Sequence, residues 1–168
     1  MLNGNVYVTA SLGLSGGYSD AVLEKISKIA RDNKINPILV EQNFGGGMFA
    51  ELLKPFLMRF HPCQVEDVRN NKTKELRIID TLEPVMNSHR LIIDRKVIEK
   101  DFRSNPQETP ERRLKLQLVY QLSRISRHRG SLVHDDLVDS LAGAVAYWTD
   151  YMAQNEDLNI SKRKEELL

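Results

Sequence analysis

The sequence HDDLVDSLA at residues 134–142 places three carboxylates in the first turn of a predicted helix. Asp136 and Asp139 are three residues apart, so they lie on one face of a helix, and Asp135 occupies the position of an N-cap acceptor. Acidic residues also suit the positive end of the helix dipole, so ordinary helix capping accounts for the pattern. Three acids ahead of small and apolar residues equally suit a metal site, and both interpretations stay open.

The residues after these acids predict a buried helix that ends in a polar tail. Leu137, Leu141, Val145 and Trp148 follow at spacings of four, four and three, which predicts one core-facing stripe. We expect the helix to fray after Trp148, through about Asn155. Residues 153–168 are predicted to form a charged C-terminal tail, a type of segment that is usually disordered or docks onto a partner.

Length and composition exclude several classes of protein. A chain of 168 residues with 41% hydrophobic residues predicts one soluble domain, over residues 1–152. The net charge of +1 implies no global attraction to nucleic acid, so local patches must carry any such binding. The single Cys63 excludes an internal disulfide and a cysteine-rich zinc cluster. No apolar run is long enough for a membrane span, and no Walker loop or dinucleotide fingerprint is present.

Hydrophobic periodicity predicts alternating strands and helices, which is typical of an α/β fold. The helix after residue 72 is predicted to bury Leu76, Ile79, Leu82 and Met86, and Pro55 is predicted to kink its helix without ending it. The predicted strands are 5–11, entered through an Asn3-Gly4 turn, 38–40, 64–69 and 91–93; the predicted helices are 19–33, 48–60, 72–87, 95–102, 110–127 and one from 136.

Glu41 is the second candidate for a functional carboxylate. It ends the apolar strand 38–40 and precedes the glycines of 45–47, and this end of a strand is the usual place for an active-site residue in α/β proteins. The alternative is a strand-terminal acid that faces solvent. The glycine run is either a phosphate-binding loop at a helix start or a tight turn.

The sequence contains two groups of basic residues, one at the start of the helix after residue 72 and one just before the acids of 134–142. Positive charge at the start of the helix after residue 72, including Arg77, opposes the helix dipole, so an external polyanion explains it better than helix stability does. A solvated helix face is the alternative for any one of these residues. A second basic cluster, with His128, lies just before the acids, where it either screens them or binds phosphate presented there. The candidate DNA-backbone contacts are Lys72, Lys74, Arg124, Arg127 and Arg129.

Three blocks in this order resemble a known family: VEQNFGGGMF at 40–49, KELRIIDTLEP at 74–84 and HDDLVDSLA at 134–142. The chain resembles the C-terminal nuclease domain of the large terminase subunit, or DNA maturase, of short-tailed lytic phages. The resemblance implies an RNase H-like three-layer α/β fold with a central mixed sheet. It also implies a two-metal endonuclease that cuts concatemeric double-stranded DNA during packaging.

The resemblance implies a metal site built from three acidic positions. Glu41 matches one, and Asp135 and Asp136 match another, with Asp136 favoured because its spacing from Asp139 also occurs in related resolvases. Asp139 is then a further ligand, a supporting group or a cap. Oxygen ligands favour Mg²⁺ or Mn²⁺ over zinc. The family's first acid, on the first strand of the sheet, has no match in this sequence, so we expect an N-terminally incomplete domain with impaired cleavage.

The same resemblance implies binding partners, and two alternative functions remain beside the nuclease. Double-stranded DNA is the expected substrate, with the portal and the small terminase subunit as partners of the full-length protein in the cytoplasm of the bacterial host. Strand edges left without a neighbour predict self-association. The rival functions are a non-catalytic module that binds DNA or docks onto the portal or motor, and a junction resolvase of the same superfold.

Overall fold

A computed structural model describes residues 4–42, 47–69 and 73–165, with side chains described as far as residue 153. Strands and helices alternate in its first half, as the sequence predicted. The elements are β1 (Val6–Val8), α1 (Asp20–Asp32), β2 (Pro37–Glu41), α2 (Met48–Phe60), β3 (Gln64–Val68), α3 (Lys74–Asn87), β4 (Leu91–Ile93), α4 (Arg95–Phe102), α5 (Pro110–Lys115), α6 (Leu118–Arg124) and α7 (Asp136–Glu165).

The chain divides into two compact units, and the single domain over residues 1–152 stays a prediction. Residues 14–71 form the first, called here the β2–β3 unit, and residues 1–13 with 72–168 form the second, called the β1–β4 unit. Each unit contains one parallel strand pair, and the described residues contain no antiparallel pair. The predicted self-association through strand edges stays a prediction.

The β2–β3 unit packs two helices against its strand pair. Ile38 lies opposite Val65, and Glu41, the last residue of β2, lies opposite Val68. Its core consists of Leu23, Ala30, Leu53 and Leu57. The predicted helix 48–60 is confirmed residue for residue as α2, and Pro55 lies inside it without ending it. Residues 43–46, with most of the predicted glycine loop, lie outside the described residues.

The β1–β4 unit is built around the contact of α3 with α7. β1 pairs with β4, with Val6 opposite Leu91 and Val8 opposite Ile93, so the predicted strand 5–11 is shorter than expected. Asn3 of the predicted turn lies outside the described residues. The core of this unit consists of Val6, Val8, Ile78, Leu82, Val85, Val97, Leu118, Val138, Leu141, Ala142 and Val145.

The buried faces of α3 and α7 differ from the predicted ones. Leu76 and Met86, predicted inside, are 38% and 43% exposed, whereas Ile78 and Val85 are buried. On α7, Trp148 is 37% exposed instead of closing the buried stripe. Both helices carry two overlapping apolar stripes, and the stripe that meets the neighbouring helix is the buried one. Periodicity alone cannot tell these stripes apart.

The predicted helix 110–127 is two helices, because the chain breaks between α5 and α6. The carboxylate of Asp101, which is buried, accepts hydrogen bonds from the backbone N–H of Leu118 at 2.9 Å and of Val119 at 3.1 Å. These N–H groups lie in the first turn of α6, where backbone donors have no acceptor within their own helix. A carboxylate from α4 therefore stabilises a new helix start that the local sequence does not reveal.

The start of α7 is capped by a side chain from α6. Gln121 Oε1 accepts hydrogen bonds from the backbone N–H of Leu137 at 3.1 Å and of Val138 at 3.0 Å, and the glutamine is fully buried. Asp135 does occupy the position before the helix, but its Oδ1 receives a hydrogen bond from a lysine instead. At the other end α7 continues to Glu165, beyond the predicted fraying near Asn155.

No helix in the described part of the chain is both long enough and apolar enough to cross a membrane.

Replacing Gln121 with Leu tests the cap on α7. The change keeps a buried side chain of similar size but leaves two backbone N–H groups without their acceptor. We expect the free energy of unfolding, measured by urea denaturation, to fall by about 1–3 kcal/mol. The matched control is Gln107→Leu in the exposed loop before α5, which should change stability by less than about 0.5 kcal/mol. Equal stabilities of the two variants would contradict the cap.

Candidate functional site

Acids at the start of α7 meet bases at the start of α3 within the β1–β4 unit. Lys74 Nζ lies 2.8 Å from Asp135 Oδ1 and 3.2 Å from Asp139 Oδ2. Arg77 Nη2 lies 2.5 Å from Asp139 Oδ1. These four residues, Lys74, Arg77, Asp135 and Asp139, are called here the α3–α7 ion cluster. Both oxygens of Asp139 are therefore engaged by cations of the protein itself.

The cluster explains why α3 begins with basic residues. Lys74 and Arg77 are three residues apart and so share one face of the first turn of α3. Their charges oppose the dipole of their own helix, which the sequence analysis attributed to an external polyanion. The carboxylates of α7 supply an internal partner instead. Lys72, the third basic residue of this group, lies outside the described residues.

Burial differs across the cluster. The side chains of Arg77 and Asp139 are only 14% and 11% exposed, so solvent screens this pair weakly. Lys74 is 40% exposed. Burial is the largest single influence on the pKa of Lys74 and disfavours its charge, but the hydrogen bonds to Asp135 and Asp139 and the negative charges of both aspartates together raise the pKa of the ammonium. The cluster therefore has a buried half, Arg77 with Asp139, and an accessible half, Lys74 with Asp135.

Asp136 differs from its two neighbours. It is exposed in the first turn of α7, and among the side chains that the structure describes none forms an ion pair or hydrogen bond with it. It is also three residues before Asp139, on the same face of the helix. The described residues contain no group of three His, Cys, Asp or Glu side chains close enough together to hold a metal ion. The predicted aspartates thus lie near one another without converging.

Two further contacts fix the segment between α6 and α7 to α3. Arg127 donates to Asp80 Oδ1 at 3.0 Å and to Glu83 Oε2 at 3.1 Å, with all three side chains exposed. Glu75 Oε1 accepts from the backbone N–H of Gly130 at 2.6 Å. This hydrogen bond lowers the pKa of the Glu75 carboxyl and has the largest single effect on that pKa. Sequence reasoning missed Glu75, because an acid in the first turn of a helix looks like ordinary dipole matching.

The remaining predicted DNA contacts lie on the surface of the same unit. Arg124 is exposed, with its guanidinium 5.9 Å from the ring centroid of Tyr120. Arg129 is exposed as well, and its charge contributes to the lowered pKa of Glu75, after the larger effect of the Gly130 N–H. Arg127 is already paired with two carboxylates. Arg124 and Arg129 are therefore the exposed cations of the predicted set that make no ion pair with a described side chain.

Glu41 belongs to the β2–β3 unit. It lies at the end of β2, as the sequence predicted, and is exposed; its role as a metal ligand stays a prediction. The next residue, Gln42, donates its N–H to Val68 O at 3.1 Å. The side chain of Gln42 also contacts that of Arg69. This end of the β2–β3 pair is thus held by hydrogen bonds that continue one residue past the strand.

Residues 1–91 match the family described as Terminase Bacteriophage T7, Ribonuclease H-like domain. The chain belongs to this family. It is also 36% identical to the terminase large subunit of Enterobacteria phage T3 over 167 residues, which is 99% of this chain and 28% of that protein. The chain therefore spans less than a third of this curated relative's length.

These similarities confirm the resemblance on which the sequence analysis relied. The match to an RNase H-like family confirms the predicted α/β fold class, and the described residues of this chain form helices with two small parallel strand pairs. Glu41 lies inside the stretch that matches the family. The acids of α7 lie beyond residue 91, within the longer similarity to the T3 protein, which covers nearly the whole chain.

The pH dependence of stability tests the contact of Glu75 with Gly130. A carboxylate whose pKa is lowered on folding stabilises the fold above its unfolded pKa of about 4.3, and this contribution is lost as the pH falls through the folded value. We expect Glu75→Gln to lower the free energy of unfolding at pH 7. The difference from wild type should shrink below about pH 4.3. The exposed Glu99→Gln is the control, and a difference for Glu75→Gln that does not change with pH would contradict the contact.

Removal of the guanidinium tests the buried half of the ion cluster. Arg77→Met leaves Asp139 largely buried with only Lys74 beside it. We expect a loss of about 3 kcal/mol in the free energy of unfolding, the lower end for a broken buried ion pair. The double variant Arg77→Met with Asp139→Leu should recover most of that loss, because no buried charge remains unpaired.

The control for this experiment is Arg95→Met, since Arg95 forms an ion pair with Glu99 while 91% exposed. Exposed pairs of this kind contribute at most about 1 kcal/mol. A loss for Arg77→Met as small as that for Arg95→Met would show that the contact does not hold the two helices together.

Proposed function

We propose that this chain is the metal-dependent endonuclease domain of a phage DNA-packaging terminase and cuts concatemeric double-stranded DNA. Membership of the terminase RNase H-like family gives the class of protein. The observation that carries the proposal is Asp136, an exposed carboxylate without a partner among the described side chains, in the first turn of a helix with a capped start. A carboxylate fixed in this way is available to a cation.

Glu41 and Asp136 are the proposed principal metal ligands. Carboxylate oxygens suit Mg²⁺ and Mn²⁺, and the two acids occupy the positions that the family resemblance assigns. Glu41 and Asp136 would hold divalent cations, which would supply activation of water and neutralisation of the charge that develops on the phosphate during hydrolysis. Asp135 and Asp139 are proposed as additional ligands, but in the structure their oxygens face Lys74 and Arg77.

The basic residues of the β1–β4 unit are the proposed contacts to the DNA backbone. Arg124 and Arg129 are exposed and make no ion pair with any described side chain, so each can bind phosphate without first losing a partner. Arg127 shares its charge with Asp80 and Glu83 and should contribute less. Lys72 and Lys74 complete the proposed set. Contacts of this kind fix position on the duplex but read no sequence.

The terminase assignment extends to partners that only the full-length protein would meet. We propose that the full-length protein works with the portal and the small terminase subunit in the cytoplasm of the bacterial host. The similarity to the terminase large subunit of phage T3 supports this proposal.

A non-catalytic role is the second candidate. It is favoured by the ion cluster, since Asp135 and Asp139 are already neutralised by protein cations and no three metal-binding side chains converge among the described residues. In that case the domain binds DNA, or docks onto the packaging machinery, without cutting. Plasmid nicking separates the two candidates.

The experiment is nicking of supercoiled plasmid in the presence of Mn²⁺. We expect wild-type protein to nick, and Asp136→Ala to lose at least about 100-fold in rate, because mutation of an outer-shell partner of a metal ligand already costs about 10- to 100-fold and loss of a ligand should cost more. Chelation of Mn²⁺ should abolish nicking by the wild type.

The matched control is Asp150→Ala, which removes an exposed carboxylate from the same helix and should leave the rate unchanged. Plasmid binding without nicking by the wild type would favour the non-catalytic module. Nicking by the Asp136→Ala variant at an undiminished rate would show that Asp136 is not a metal ligand.

A further inference from the structure

A cavity of about 490 Å³ opens between α3 and α7 within the β1–β4 unit, further along both helices than the ion cluster. Part of its wall is apolar and part carries hydroxyl groups. The apolar residues are Pro84, Val85 and Ala146, and the hydroxyl groups are those of Thr81, Ser88 and Thr149. A volume of this size lies within the range of about 300–1,000 Å³ that is typical of ligand pockets.

Arg90 is the cationic side chain among the described residues that line this cavity. Its backbone is held on both sides, because its N–H donates to Val85 O and its O accepts from Val6 N–H, both at 2.8 Å. Its Nε is buried and has no hydrogen-bond partner among the described residues, and no described side chain forms an ion pair with its guanidinium. A guanidinium stays charged, and a buried donor without an acceptor is costly. An anionic oxygen in the cavity would supply the partner that the protein does not.

The hydroxyl groups of the wall leave the recognition of an anion mainly to Arg90. Ser88 Oγ donates to Pro84 O at 2.7 Å, and Thr149 Oγ1 donates to Val145 O at 2.6 Å. Each hydroxyl has a single hydrogen, which is thus engaged within its own helix. Both hydroxyls therefore present oxygen to the cavity, and the guanidinium is the strong donor that remains.

The charges around the cavity select the kind of anion. Asp80 and Asp150 also line it, and neither forms an ion pair with Arg90. Arg127 offsets the charge of Asp80. One guanidinium between two carboxylates can bind a single negative charge, but the carboxylates repel a polyanion such as DNA or a multiply charged phosphate.

We propose that this cavity is a binding site for a carboxylate on an aliphatic stem, with Arg90 as the residue that binds the carboxylate. The apolar wall of Pro84, Val85 and Ala146 then covers the stem. A small free acid and a glutamate side chain of a partner protein present this same chemistry. The site does not rest on the proposed nuclease function, because none of its lining residues is a proposed metal ligand or DNA contact.

The first test is an NMR titration of the backbone amides with sodium butyrate, compared with sodium chloride at equal ionic strength. We expect saturable shifts at Val85 and Arg90 with butyrate alone. Arg90→Met should bind butyrate at least about 10-fold more weakly, because a hydrogen bond to a charged group is lost. Arg90→Lys keeps the charge without the planar fork and should fall between the two.

The control is Arg103→Met, since Arg103 is an exposed arginine of the same unit without an ion-pair partner among the described side chains. It should bind butyrate as wild type does. Arg90→Met should resist urea at least as well as wild type, because the change removes a buried donor that has no acceptor. A loss of binding by this variant then cannot come from unfolding.

The source of the carboxylate is tested with glutamate whose amino group is acetylated and whose main-chain carboxyl is a methylamide. Binding of this compound at least as tight as that of butyrate would assign the site to a glutamate of a partner protein. Binding of butyrate alone would assign it to a small free acid. Inorganic phosphate and a short DNA duplex should leave the signals of Arg90 and Val85 unshifted.

The second test uses unmodified protein and so does not depend on the folding of a variant. Modification of arginines by phenylglyoxal is followed at Arg90 by mass spectrometry, with and without butyrate. We expect butyrate to slow the reaction at Arg90 several-fold, because the bound carboxylate covers the guanidinium, and to leave the rate at Arg103 unchanged.

Three outcomes would overturn the proposal. One is an absence of saturable shifts with butyrate, or equal binding by Arg90→Met and wild type. Another is a rate of modification at Arg90 that butyrate does not lower. The third is binding of phosphate or duplex DNA at the cavity as tight as that of butyrate. None of these measurements involves DNA cleavage, so they decide on the carboxylate site whether or not the chain nicks plasmid.

Discussion

The contact between Arg77 and Asp139 is the constraint on which the start of α7 depends. Each residue lies in the first turn of its helix, and the pair is largely buried. The dipole of α7 and the guanidinium of Arg77 both stabilise the carboxylate of Asp139. The charge of Arg77 opposes the dipole of α3, so among the described side chains its stabilisation comes from Asp139. The contact therefore fixes α7 against α3. Asp136, three residues earlier on the same face, is oriented with it.

Side chains from distant parts of the chain complete what the helices lack. Gln121 of α6 accepts the N–H groups at the start of α7, and Asp101 of α4 accepts those at the start of α6. Glu75 of α3 binds Gly130, in a segment without helix or strand. Gln121 and Asp101 are buried, and each satisfies donors that would otherwise cost about 1–3 kcal/mol. The start of α7 is thus held by side chains of α6 and α3.

The sequence predicted what depends on neighbours along the chain and missed what depends on neighbours in space. Hydrophobic periodicity predicted the bounds of α2 and β4 that the structure has. Charge and residue spacing also selected all four members of the α3–α7 ion cluster as candidates. It did not show that the acids and bases of that cluster bind one another. The break before α6 and the exposure of Trp148 have the same origin, because both are decided by the element that packs alongside.

The ion cluster also offsets a repulsion that the acids of α7 create. Three carboxylates in one helix turn repel one another, so the start of α7 would be less stable without cations beside it. Lys74 and Arg77 supply those cations through contacts of 2.8 and 2.5 Å. The two contacts differ in weight, because solvent screens the 40% exposed Lys74 more than the 14% exposed Arg77. Arg77 therefore carries the larger structural share of the cluster.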